Sequence, residues 1–140
     1  MLSYLRTSTM ESAMQDKKSS TSIANRTTAF CLNTLKMLRE VPPGVEFKHI
    51  RRQLTHSSAD VGMHFRDVDR AELRCEFIAG LAEIRKSLAE SEYWIGLIEG
   101  LKPDVPGIGA VHAEARSLME LFERIRQRAE AGAVKDKVPV

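Results

Sequence analysis

Apolar residues, with one small serine among them, return at alternating steps of three and four from Phe77 through Leu81, Ile84, Leu88, Ser91 and Ile95 to Ile98. This spacing keeps one stripe of a helix facing a neighbour along its whole length, so the helix needs other helices to cover it. The same seam occurs upstream at Phe47, Ile50, Leu54, Ser57, Val61 and Phe65, which predicts a helix running to about Val68. A looser version at Ile23, Phe30, Leu35, Leu38 and Val41 predicts a first helix from Ser22, stopped by Pro42, Pro43 and Gly44. Asp69 and Glu72 have capping-box spacing and set the expected start of the third helix, which ends at Gly100. Residues 102–109 hold two prolines and two glycines and read as a loop. Val111, Ala115, Leu118, Phe122, Ile125 and Ala129 then predict a fourth helix ending near Gly132.

No alternating run bounded by turn residues suggests a strand. Four helices with matching seams and short to moderate connections imply an all-α, antiparallel up-down-up-down four-helix bundle. At 140 residues and 43% apolar composition, one domain with a full core is expected. That domain covers 22–132, with a flexible tail over 1–21 and frayed residues over 133–140. No apolar run approaches the ~20 residues of a membrane-spanning helix, and the first 21 residues lack a secretory pattern. A cytoplasmic protein with no membrane association is the expectation. Cys31 and Cys75 lack metal-binding or redox spacing and read as small core residues.

Enzyme chemistry finds no foothold in the motifs. The pair of Glu-x-x-His motifs for a di-iron bundle is missing, as are zinc-type Cys/His clusters, a phosphate loop and a serine elbow. No catalytic residue, metal or cofactor is expected. His56, Asp60 and His64 share a helix face at steps of four. Each step advances about 6 Å and drifts around the axis, so three such ligands do not converge on one metal ion.

The net charge is only +2, yet it is unevenly distributed. Lys48, His49, Arg51, Arg52, His56, His64 and Arg66 crowd the second helix, with Lys36 and Arg39 before it and Arg70 and Arg74 after it. Glu83, Glu90, Glu92 and Glu99 make the far part of the third helix acidic. A basic helix of this kind is either a solvated face balanced by nearby acids or a surface for a phosphate backbone. Lys48, Arg51, Arg52, His56, His64 and Arg66 are the candidate nucleic-acid contacts. Few aromatic residues accompany them in the sequence, which argues against base stacking. The third helix carries a second apolar stripe at Ile78, Ala82, Ala89, Tyr93 and Leu97, turned away from its main seam. Ile78, Tyr93, Trp94 and Leu97 are therefore candidate contacts between copies in a homo-oligomer.

The stretch from Ile50 to Val68 resembles the second-helix signature of the bacterial four-helix bundle proteins found in intervening sequences of large-subunit ribosomal RNA genes. Gln53, Leu54, Ser57 and Val61 match that signature, and Asp67 stands where it has an acid. His56, Asp60 and His64 replace its arginine, serine and asparagine. Ser87, Leu88, Glu90, Glu92 and Tyr93 resemble its third-helix motif, with Phe77 and Ile78 in place upstream. The likeness spans residues 22–131. It implies small bundles that form pentameric rings. One relative of that family is the accessory variability determinant of diversity-generating retroelements, a basic ring that binds nucleic acid and a partner reverse transcriptase.

Taken together, these features lead to the expectation of a non-enzymatic, homo-oligomeric bundle, pentameric by resemblance. It would bind RNA or DNA non-specifically, or scaffold a nucleic-acid enzyme such as a reverse transcriptase. A protein-only interaction module is the alternative.

Overall fold

The computed structural model describes residues 17–137, and their side chains over 20–132. Within that range the chain forms four helices and no strand: α1 (Lys17–Arg39), α2 (Val45–Asp69), α3 (Arg74–Leu101) and α4 (Ile108–Lys137). They pack on one another as an all-α four-helix bundle. Ser57 meets Ser91 and Val68 meets Gly80, so α2 and α3 run antiparallel. Glu99 with His112 and Arg85 with Glu123 give α3 and α4 the same relation. Ser20 with Asp69 and Arg51 with Leu38 do so for α1 and α2.

The heptad residues account for the core. Phe47, Ile50, Leu54, Ser57, Val61 and Phe65 are all buried, as are the seam residues of α3 from Phe77 to Ile98 and of α4 from Val111 to Ala129. Phe65 and Phe122 meet across the middle with ring centroids 6.0 Å apart. Complete burial of such side chains stabilises the fold by roughly 1.5–3 kcal/mol each.

Four boundaries differ from the sequence expectation, the three helix starts among them for polar or backbone reasons. α1 begins at Lys17 instead of Ser22, so 17–21 belong to the bundle, while residues 1–16 of the expected tail lie outside the described residues. Ser20 is buried and donates its hydroxyl proton to the Asp69 carboxylate, a contact that apolar periodicity does not register. Asp69 is the last residue of α2 and not the cap of α3. The cap arrangement sits one turn later, where the Glu76 carboxylate accepts from the backbone N–H of Leu73 at 3.3 Å. α4 begins at Ile108, inside the expected loop, because Val105 and Ile108 are buried and Gly107 makes the turn at φ 86°. Its backbone stays helical through Lys137, where fraying from residue 133 was expected; residues 138–140 lie outside the described range.

Cys75 is exposed instead of buried, because the later start of α3 leaves it at the rim. Cys31 is half-buried. Among the described residues, no helix is long and apolar enough to cross a membrane.

Candidate functional site

The exposed face of α2 follows from its seam. With Phe47, Ile50 and Leu54 turned inward, Val45, His49, Arg52, His56, Ala59 and Met63 form the outward stripe. Lys48 and Arg66 flank that stripe and are exposed. Lys48 and Arg52 are one turn apart, while Arg66 lies about 20 Å further along the axis at 1.5 Å per residue. The helix thus presents two basic ends separated by Ala59 and Met63. Arg39 joins the first end and Arg70 the second.

Arg51 does not belong to this surface. Its guanidinium turns inward over the end of α1, donating to the carbonyl oxygens of Leu38 at 2.6 Å, Val41 at 3.2 Å and Pro42 at 3.3 Å. Carbonyls at a helix C-terminus lack intrahelical partners and carry the negative end of the helix dipole, so a cation there fulfils both requirements. Arg51 is a structural cap, one residue and 100° of helix away from the exposed Arg52.

The histidines also separate. His56 Nε2 lies 3.2 Å from a carboxylate oxygen of Asp60, and the His56 side chain is mostly in solvent. His64 is half-buried on a different side of the stripe. Among the described residues, no three His, Cys, Asp or Glu side chains gather where they could hold a metal ion.

Elsewhere four arginines are matched with carboxylates, while Arg124 and Arg128 of α4 make no ion pair with a described residue. Arg26 of α1 donates through Nε and Nη2 to the Glu114 carboxylate at 2.8 and 3.0 Å. This pairing raises its affinity for the proton, partly offset by burial. Arg85 reaches Glu123 at 3.0 Å, and Arg116 reaches Glu92 at 3.1 Å. Arg126 bonds to Glu123 and Glu130, and its hydrogen bond holds the Glu123 carboxyl below its ordinary value. His112 sits against Glu99 at 2.8 Å. By contrast, Lys48, Arg52, Arg66 and Arg70 make no ion pair with any described residue.

The candidate interface residues fall into two classes. Ile78 and Trp94 are half-buried and packed against the core of their own bundle. Tyr93 and Leu97 face outward, with Leu101 one turn beyond them. Trp94 meets the His49 ring edge-on at 5.5 Å, and Tyr93 meets Trp94 edge-on at 5.0 Å. Aromatic rings therefore do border the basic end of α2, contrary to the expectation from the sequence. Tyr93 and Trp94 lie far from the basic run in the chain, and only the register between α2 and α3 unites them. A pairing of positions 49 and 94 is the signal that would have revealed it.

Comparison with protein-family models, with curated proteins and with solved structures finds no match for this chain.

Proposed function

We propose that this chain is a non-enzymatic helical-bundle protein that binds nucleic acid through the outward face of α2. The observation that carries this reading is the contrast in ion pairing. Arg26, Arg85, Arg116 and Arg126 are held by carboxylates, whereas Lys48, Arg52, Arg66 and Arg70 are exposed and make no ion pair with a described residue; Arg124 and Arg128 of α4 share that property, but α2 and its flanks gather four such cations. Unpaired cations on a rigid helix are free to displace the counterions of a phosphate backbone. The positive end of the α2 dipole adds to the field at Lys48. The resemblance carried by residues 50–68 and 86–98 points the same way, and scaffolding of a nucleic-acid enzyme such as a reverse transcriptase is one form the role takes.

A salt titration tests the reading. Binding to a labelled RNA or DNA should weaken steeply as salt rises, with a slope of about −0.7 to −0.9 per phosphate neutralised. Retention that is absent at low salt, or indifferent to salt, contradicts it.

A second reading is self-assembly into a homo-oligomer, a pentamer by resemblance, through the outward side of α3. Leu97 and Leu101, exposed at successive turns, support it. Assembly would repeat the basic surface and raise its affinity through multivalency. Sedimentation at micromolar concentration should then show a species several times the mass of the chain, and a clean monomer removes this reading.

A further inference from the structure

Four exposed apolar or aromatic side chains, Val45, Tyr93, Leu97 and Leu101, lie where α2 starts and along the second half of α3, whereas Leu32, Met63 and Leu73 lie elsewhere. Tyr93 is 60% exposed, and its ring stands at 71° to that of Trp94. Trp94 stands at 80° to the ring of His49 on α2. One turn to either side of His49 are Val45, 87% exposed, and the exposed Arg52. One and two turns beyond Tyr93 are Leu97 and Leu101, the latter 57% exposed. The antiparallel register fixed by Ser57 with Ser91 and by Val68 with Gly80 brings the start of α2 level with the end of α3. The exposed Tyr93 and His49 rings, the half-buried Trp94, and two cations without an ion pair to a described residue, Lys48 and Arg52, thus share one edge of the bundle.

Two kinds of partner fit open apolar surface here: a protein, or the faces of unpaired bases. A two-fold contact between copies centred on these rings would bring Lys48 and Arg52 of one copy close to the same residues of the other. Like charges brought together oppose such a contact. A polyanion with flat apolar faces meets both features, with bases on the rings and phosphates on the cations. Duplex nucleic acid hides those base faces and would engage the cations alone.

We propose that Tyr93, Trp94 and His49 form a base-stacking platform, with Lys48 and Arg52 as its phosphate contacts, so that the chain selects single-stranded over duplex nucleic acid. The proposal rests on the nucleic-acid reading above and names its substrate class. Aromatic side chains that stack bases typically change affinity by about tenfold or more when removed.

Trp94 is the only tryptophan in the sequence, so intrinsic fluorescence reports on the platform directly. The full chain is titrated at low salt with oligothymidine of about 20 nucleotides and with a duplex of the same length. The expected result is a change in Trp94 emission with the single strand, and binding about tenfold tighter than to the duplex. Tyr93→Ala should weaken single-strand binding about tenfold while leaving duplex binding and helicity unchanged, and Tyr93→Phe should retain most of the affinity. Equal binding of both forms with unchanged emission overturns the platform and leaves the cation reading standing. Failure of both nucleic acids to bind overturns both readings. A Tyr93→Ala variant that breaks an oligomer without altering single-strand affinity assigns the patch to protein contact and also overturns the platform.

Discussion

The seam between α2 and α3 and the seam between α1 and α4 close the same bundle by opposite means. At the first, small residues let the backbones come together: the Ser57 and Ser91 hydroxyls lie 2.8 Å apart in full burial, and Gly80 fits under Val68. At the second, packing is much sparser, and a groove of about 530 Å³ remains, lined by Phe30, Lys36, Met37, Gly107, Val111 and Glu114 among others. Polar bonds from Arg26 to Glu114 and Ser117 span that opening. α1 therefore depends on α2 more than on α4, and the Arg51 cap is part of that dependence. A helix can be kept in a bundle by its neighbour on one side and by its end, with little help from the other side.

Arg51→Ala should break this arrangement most severely. It removes three charge-assisted hydrogen bonds from the end of α1, and a loss of about 3 kcal/mol is expected, read as the shift of a urea midpoint. Arg52→Ala next to it should stay within ~0.5 kcal/mol, as surface substitutions do. Gly80→Ala comes second. Its new Cβ would stand 2.4 Å from the Val68 Cγ2, and overpacking of about 1–3 kcal/mol should outweigh the ~1 kcal/mol gain in helix propensity. The same change at Gly96 meets nothing within 4 Å and should stabilise by up to ~1 kcal/mol. If both glycine variants melt alike, the close seam is not close.

Arg26→Ala at the open seam should cost less than ~1 kcal/mol, because both members of its ion pair are partly in solvent. The smallest effect concerns the seam of α3 and α4. The Glu123 carboxyl titrates below its ordinary 4.5 in the fold, held there first by Arg126. A lowered carboxyl contributes stability that is present above its unfolded value and is lost as pH falls through the folded one. The melting temperature of the native chain should therefore drop slightly more than that of Glu123→Gln as pH is lowered below about 4.5.

Most of the bundle was legible because apolar residues of α2, α3 and α4 occupy nearly every seam position. α1 was less so. Thr27 and Thr34 are buried there, with hydroxyls donated to the carbonyls of Ala24 at 3.0 Å and Phe30 at 2.7 Å, so polar residues stand at core positions that a hydrophobic count passes over. The candidate site was legible as charge and not as geometry. Arg51 and Arg52 look alike in the chain, and only the position of the α1 carbonyls separates cap from surface. The His49, Trp94 and Tyr93 contacts depend on how two helices slide past each other, which no local spacing encodes.

If the cations on the outward face of α2 hold nucleic acid, reversing the charge of two of them should remove most of the binding. Fluorescence anisotropy of a labelled oligonucleotide should show the Lys48→Glu, Arg52→Glu double variant binding at least about tenfold more weakly than the native chain at low salt, with an unchanged helical circular dichroism spectrum. Equal affinity of the two proteins would contradict the account.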